Sequence, residues 1–236
     1  FNGMSAQIFY NNGSSSSEII THLINATDGA GLHFDGVVGT YVDCVDTTIL
    51  DGATQISMEV IAATSATVAG MVLGKSYNSD SILLRFDADG KIRATINNGT
   101  SSGVAVSASA YNDGDPKHIV ATWNAAIVSI YVNGNLDGTV TLAGGSIPNT
   151  TDKLAIGAYL NSGTTSTGNF NGTIYRARLF NRDVSADVQS LYESASLDFA
   201  DQWGSQTALT SGWTNGGSSG THLYETFTSS GTTISS

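Results

Sequence analysis

The sequence predicts an all-β protein, built as a two-sheet antiparallel β-sandwich with one short helix toward its C-terminal end. Three observations predict this fold. β-branched residues and turn formers dominate, with 27 Gly and only 12% charged residues among the 236. Roughly twelve short apolar segments alternate with polar positions and are separated by Gly-, Asn- and Asp-rich turns. Within the complete sandwich, a single helical pattern, at residues 185–193, excludes a fold of alternating strands and helices.

Composition and charge restrict the function further. Hydrophobic residues make up 40% of the chain, enough to bury a core. The net charge of −11 excludes a nucleic-acid partner, because a phosphate backbone requires a basic face. No apolar run reaches the roughly 18 residues that span a bilayer, so we expect no membrane insertion. The one cysteine, Cys44, excludes an internal disulfide, and its strand-like setting predicts a buried, unreactive thiol.

Residues 1–26 repeat the pattern of residues 170–195. Both segments begin with Phe-Asn-Gly, continue through an apolar strand that ends in an aromatic residue and Asn, and pass a Ser-rich turn into a predicted short helix. We therefore expect residues 1–26 to be the end of a preceding similar module, in a chain that belongs to an array. The alternative is an N-terminal strand and helix that pack onto the one complete sandwich, which occupies residues 27–197.

The first strands of the sandwich surround the Asp35-Gly36 turn. Around it the alternation predicts an inward face, formed by Leu32, Phe34, Tyr41 and Val45. Residues 55–63 alternate again and carry Glu59, which has no other carboxylate beside it on its strand.

The segments that follow contain the clearest turns. Residues 81–97 predict a hairpin around Asp89-Gly90, because a tight turn between twisted strands requires positive φ angles. In residues 117–180 we predict two close turns, at Asn133-Gly134 and Asp137-Gly138, and a core position for Trp123.

The helix that follows is predicted to begin with Ser185 as its N-cap, and Asp187 suits the dipole of its first turn. Residues 198–236 are a linker or the start of a further β-module. We favour the β-module, because disordered tails rarely carry two tryptophans and alternating segments.

Several segments in order resemble a known family. Three segments are similar to motifs of laminin G-like domains, of the concanavalin A-like lectin and glucanase type. They are LHFDGVVGTYVDC, HIVATWN with VSIYVNGNLDGTV, and FNGTIYRARLFNRDVSADVQSLY. The resemblance covers about residues 30–195, with Asn133 where the family usually has Asp. It implies a jelly-roll sandwich. It leaves function open, since this fold hosts lectins, adhesion modules, glucanases and inert spacers.

The resemblance raises the question of catalysis, and the residues argue against it. Glucanases of this fold use a Glu-x-Asp-x-x-Glu strand to supply nucleophile and acid. None of the four glutamates stands in that pattern, and the four histidines show no metal-binding spacing; these residues are Glu18, Glu59, Glu193, Glu225, His22, His33, His118 and His222. We predict a protein that is not an enzyme.

A structural Ca²⁺ ion is the one cofactor that the resemblance suggests. Asp43 and Asp46 are weak candidate ligands. The pairs Asp87-x-Asp89 and Asp113-x-Asp115 also attract attention, but turn chemistry explains both. The sequence therefore does not define a metal site.

Two polar segments offer an aromatic ring beside hydrogen-bonding groups, as glycan binding requires. One contains Tyr77, Asn78 and Asp80, and the other contains Tyr159 and Asn161. The alternative is that both are ordinary polar loops with half-buried tyrosines.

We predict a non-catalytic surface module of a larger extracellular or virion protein, such as a fibre, spike, decoration protein or adhesin. Its partner would be a host-surface glycan or glycoprotein. The alternative is a purely structural module that contacts other virion or extracellular chains, including copies of itself. A glycoside hydrolase is the third hypothesis.

Overall fold

The computed structural model describes residues 20–25, 31–44, 50–75, 82–161, 165–202, 213–218, 223–229 and 232–234. Two antiparallel sheets form a sandwich, which confirms the predicted fold class. One sheet has seven strands: β1 (Ile20–Asn25), β15 (Asn171–Phe180), β4 (Ile56–Ala63), β9 (Lys117–Trp123), β10 (Ile127–Val132) and β11 (Asn135–Thr141) in spatial order, with β2 (Leu32–Asp35) also on β15. The other has six strands: β3 (Val42–Asp43), β12 (Leu154–Ile156), β5 (Gly70–Lys75), β6 (Ile82–Phe86), β7 (Lys91–Asn97) and β8 (Ser102–Ala110).

Two smaller groups of strands lie outside these sheets. A hairpin consists of β13 (Tyr159–Asn161) and β14 (Thr165–Thr167). A separate three-stranded antiparallel sheet consists of β16 (Trp213–Ser218), β17 (Leu223–Ser229) and β18 (Thr232–Ile234). The division of the chain at residues 26 and 197 stays a prediction.

The core lies between the two large sheets and follows the strand alternation. From β4, for example, Ile56, Met58 and Val60 are buried in it. Trp123 is also fully buried, as predicted, and its Nε1–H donates a hydrogen bond of 2.9 Å to the carbonyl of Leu142.

The predicted inward face around the Asp35-Gly36 turn is only partly tested. Phe34 is buried there, whereas Leu32 and Tyr41 are half-buried. Val45 lies outside the described residues.

Two of the three predicted tight turns are confirmed. Gly90 has φ of 80°, and Asn133 and Gly134 have φ of 50° and 81°. The turn predicted at Asp137-Gly138 is wrong, because both residues lie within β11. Close strand packing, and not a turn, requires a glycine at this position, because a Cβ on Gly138 would lie 2.3 Å from the carbonyl oxygen of Val106 in β8.

The N-terminal helix predicted by the repeat is wrong for Ile20–Asn25, which forms strand β1. This segment is rich in β-branched residues, and it pairs with the second half of β15, from Ile20 opposite Phe180 to Asn25 opposite Arg176. β2 covers the first half of the same edge. β15 therefore has a complete partner along one side only because β1 and β2 share it.

The C-terminal helix begins differently from the prediction and is longer. A 3-10 turn at Ser185–Asp187 leads into α1 (Val188–Gln202). The N-cap residue of this turn is Val184, without a side-chain capping hydrogen bond, and Asp183 just before it accepts hydrogen bonds from the backbone N–H and the hydroxyl of Ser185. Val184 and Val188 then pack on Phe180, against the face of the seven-stranded sheet that points away from the core.

Neither this helical segment nor any other helix among the described residues has the length and apolar character of a membrane span.

Candidate functional site

A buried ion cluster, formed by Glu59, His118, Arg176 and Arg178, lies on the outer face of the seven-stranded sheet. Since Met58 and Val60 point into the core, alternation places Glu59 on the opposite face. Arg178 donates hydrogen bonds to both carboxylate oxygens, and its Nη2 lies 2.5 Å from Oε1. His118 Nε2 lies 3.0 Å from Oε1, and Arg176 Nη1 lies 3.8 Å from it. Glu59 is fully buried by these neighbours.

The electrostatics of the cluster keep Glu59 ionised. Burial raises the pKa of Glu59, but the hydrogen bonds from His118 and Arg178 and the positive charge of Arg178 lower it more, so the pKa lies below its ordinary value. Because an ionised carboxylate only accepts hydrogen bonds, His118 donates through Nε2–H. A glycosidase acid needs the opposite, a raised pKa and a second carboxylate nearby. The cluster therefore has the chemistry of a structural ion pair.

Strand alternation and charge spacing within β4 did not reveal this cluster. The partners of Glu59 are 59 and 119 residues away in sequence, on β9 and β15. Only the strand order, which places β4 between these two strands, brings them together. If the pairing of β15 with β4 had been known, it would have been possible to predict that Glu59 lies opposite Arg178.

An arginine pair, Arg85 and Arg93 with Asp87, lies on the outer face of the other sheet. Phe86 and Ile92 point into the core, so Arg85 on β6 and Arg93 on β7 point outward, directly opposite each other. The Nε–H groups of both donate to Asp87, at 2.8 Å to Oδ1 and 2.7 Å to Oδ2. The arginine side chains are 37% and 35% exposed, and Asp87 is 14% exposed.

Arg85, Arg93 and Asp87 thus form a solvent-accessible group of charged side chains. Like charges opposite each other on a sheet are unfavourable, and Asp87 neutralises only one of the two. The alternation of SILLRF-DADG-KIRATIN was sufficient to predict an outward, facing pair of arginines, although the sequence reading assigned this hairpin no site.

The structure locates only two of the five residues predicted to bind a glycan. Tyr159 is half-buried on β13, which contacts β5 of the six-stranded sheet. Asn161 ends the same strand. Tyr77, Asn78 and Asp80 lie outside the described residues. The assignment of these five residues to a glycan site stays a prediction.

The calcium candidates are equally limited. Asp43 accepts a hydrogen bond from Lys153 at 2.6 Å, which raises the pKa of Lys153, and Asp46 lies outside the described residues. Asp87 contacts the arginine pair, and Asp113 contacts Lys117 at 2.8 Å. In the part of the chain that the structure describes, no three carboxylate, histidine or cysteine side chains group as metal ligands would. Calcium binding stays a prediction.

Cys44 follows β3, and its surroundings disfavour the reactive thiolate form of its side chain. Burial raises the pKa of its thiol to about 12, and the charge of Asp43 adds to the effect. Since the thiolate is the reactive form, this pKa supports the prediction of an unreactive thiol.

A family model described as the concanavalin A-like lectin/glucanases superfamily matches residues 35–188, more than half of the chain. No curated protein sequence matches.

Three solved structures illustrate the similarity of fold. The sialidase CBM40 of Ruminococcus gnavus bound to α2,3-sialyllactose has a TM-score of 0.57 at 18% identity, covering 70% of this chain and 95% of that one. Domains LG4-5 of the mouse laminin α1 chain have a TM-score of 0.51 at 20% sequence identity, and the match covers 70% of this chain and 44% of that one. The SAP-like pentraxin of Limulus polyphemus has a TM-score of 0.51 at 15% sequence identity, and the match covers 68% of this chain and 80% of that one. At these identities the three likenesses show the fold alone.

Proposed function

Because the chain belongs to the concanavalin A-like lectin/glucanases superfamily, we propose that it is a non-catalytic module that binds glycans. We place the binding face on the outer side of the six-stranded sheet. The observation that carries this proposal is the exposed arginine pair with Asp87. Guanidinium and carboxylate groups are planar and make the paired hydrogen bonds that neighbouring sugar hydroxyls accept and donate.

The surroundings of the arginine pair suit a sugar. Val104 and Val106, on the outer face of β8, lie across from Thr95 and Arg93, and Val104 is 37% exposed. Exposed apolar side chains beside polar ones match the mixed C–H and hydroxyl surface of a saccharide ring.

One of the residues predicted to bind a glycan, Tyr159, adjoins the same sheet. Tyr159 is on a strand that contacts β5, and residues 76–81, with Tyr77, follow β5 in the chain. We therefore propose Tyr159 and Tyr77 as aromatic contributors at this face. The sialyllactose complex of the Ruminococcus gnavus module supports a glycan ligand on this type of fold.

Binding to a glycan array tests the proposal. We expect at least one glycan class to bind, and the double variant R85Q/R93Q and the variant Y159A to bind more weakly than the wild type. Isothermal titration with the strongest ligand then gives the affinities. Absence of binding to every printed glycan would contradict the proposed function.

We propose no glycosidase activity, which the ion pairing of Glu59 supports. Incubation with the bound glycan should release no reducing sugar. Release of sugar that is lost in E59Q would contradict this part of the proposal.

We further propose that the module belongs to a larger extracellular or virion protein and acts at its surface. The separate three-stranded sheet after α1 supports a multi-module chain, in which a further module begins within residues 198–236. A purely structural role, through contacts with other chains or copies of itself, is the alternative. Labelling of the intact parent assembly with antibodies against this module distinguishes the two, since a buried structural module stays unlabelled.

A further inference from the structure

We infer that the arginine pair selects glycans that carry an oxyanion, either a carboxylate or a sulfate ester. This inference deepens the proposed glycan-binding function and rests on it. It concerns the ligand class of one face, the outer face of β6 and β7.

The hydrogen bonding of the pair leaves donors for a ligand. Each guanidinium uses its Nε–H on the same carboxylate, Asp87. Among the described residues, the terminal amino groups of Arg85 and Arg93 make no further hydrogen bond. Asp87 thus holds the two guanidinium groups side by side on one hairpin and leaves their terminal amino groups as donors for a ligand.

The charge of the group points to an anionic ligand. Two guanidiniums and one carboxylate leave one positive charge uncompensated. Lys91 stands two residues before Arg93 on the same face of β7, and Asp89 in the turn before it, which accepts a hydrogen bond from the Lys91 backbone, balances its charge. The hairpin therefore keeps one net positive charge. An oxyanion that bridges Arg85 and Arg93 would reduce the repulsion between these two positive charges, which face each other across the strands. The paired oxygens of a carboxylate, and those of a sulfate, fit the fork geometry of guanidinium.

The rest of the chain makes this positive group distinctive. The protein has a net charge of −11, so its overall field repels anions. A cationic group kept on such a surface, in a locally unfavourable cross-strand arrangement, is typical of a functional site. The recognition is expected to be short-range and local, and it disfavours long polyanions that would also contact the acidic surface.

The test uses an array on which sialylated, uronate-containing and sulfated glycans are printed beside their neutral parents. The strongest anionic ligand is then titrated against the wild type and the variants R85Q, R93Q, R85Q/R93Q and R93K. R182Q is the matched control, because Arg182 is 36% exposed and also ion-paired, with Asp187 on the other side of the sandwich. Thermal unfolding followed by circular dichroism establishes that each variant is folded, and the single variants serve if the double one is not.

We expect anionic glycans to bind more tightly than their neutral parents. Each glutamine substitution in the pair should weaken binding by about tenfold or more, as the loss of a charged hydrogen bond does. R93K should lose less, and R182Q should not change. The carboxylate and sulfate arms of the array identify which oxyanion is preferred.

Two outcomes overturn the inference while the proposed function stands. One is equal binding to anionic glycans and their neutral parents. The other is anionic binding that folded R85Q/R93Q retains. Absence of any glycan binding overturns both the inference and the proposed function.

Discussion

Glu59 carries a charge in a fully buried position, and its cationic partners are nearly as buried, with Arg178 at 14% and Arg176 at 10% exposure. Such a group contributes to stability only while all its members are present, because removing one leaves the others desolvated and unpaired. His118 extends the group toward the helix, since its ring lies 5.8 Å from the ring of Tyr192 in α1. The cluster thus links β4, β9, β15 and the helix through polar contacts outside the main core.

Replacing Glu59 by Gln is expected to lower the free energy of unfolding by about 3 kcal/mol or more, the usual range for breaking a buried ion pair. Two arginines would then share a neutral amide in a buried site. The measurement is urea denaturation followed by circular dichroism. E193Q is the control, because Glu193 is exposed on α1 and should change stability by only about 0.5 kcal/mol or less. Equal stabilities of E59Q and the wild type would show that the cluster is not structural.

The lowered pKa of Glu59 predicts a pH dependence of this contribution. A carboxylate whose folded pKa is depressed stabilises the protein fully above its unfolded pKa, which is about 4.3 for Glu. The contribution is lost as the pH falls through the folded pKa. The stability difference between wild type and E59Q should therefore be constant near neutral pH and shrink below about pH 4.3. A difference that grows on acidification would contradict the assigned direction.

At the scale of elements, the close contact of β8 and β11 shows how a glycine acts inside a strand. Gly138 leaves room for the Val106 carbonyl, so the two strands approach where the two sheets meet at one edge. Its partner across the β10–β11 hairpin is Ile130, beside the irregularity in pairing between Ile130 and Tyr131. Strand packing, and not turn formation, therefore accounts for this glycine.

Substituting Gly138 by Ala is expected to destabilise the protein by about 1–3 kcal/mol, the range for overpacking, because the added Cβ meets backbone that cannot rotate away. Thermal unfolding measures the effect. The neighbouring exposed Thr139, changed to Ala, should have little effect. If the two variants have the same melting temperature, β8 and β11 are not as close as described.

The elements that could be predicted from sequence are those defined by local patterns. Alternation located β4, β6 and β7, and two-residue Asp-Gly and Asn-Gly signals located two hairpin turns. Gly138 was misread because its neighbour is Val106, far away in sequence and not part of any local pattern. The short helix predicted within residues 1–26 is wrong for Ile20–Asn25 because a strand there satisfies the open edge of β15, a tertiary effect.

The same limit explains what was missed at the sites. The arginine pair follows from local alternation in one hairpin, so the sequence contained enough information to find it. The partners of Glu59 depend on strand order across the sheet, which no local pattern contains.

At the scale of the whole molecule, the seven-stranded sheet depends on its N-terminal strand. β1 covers the edge of β15 from Arg176 to Phe180. Without β1, these backbone groups would form an unpaired edge, which is a template for strand addition by another chain.

Deleting residues 1–25 is therefore expected to promote self-association and to lower the melting temperature. Size-exclusion chromatography with light scattering measures the first effect and circular dichroism the second. Deleting only residues 1–19 keeps β1 and is the matched control for the loss of this strand. If both deletions give the same mass and the same melting temperature, β1 does not protect the edge.

The pairing of Ile20 with Phe180 also determines how the sandwich responds to mechanical force. The chain enters the sheet at β1 and leaves it at the end of β15 at adjacent points, so tension between the flanking segments acts at one end of this strand pair. Such a load opens the hydrogen bonds of β1 one after another, as a zipper opens, whereas β4 is held on both sides by β15 and β9. Under tension β1 should separate first, at low force, and the six-stranded sheet with its outer face should stay intact.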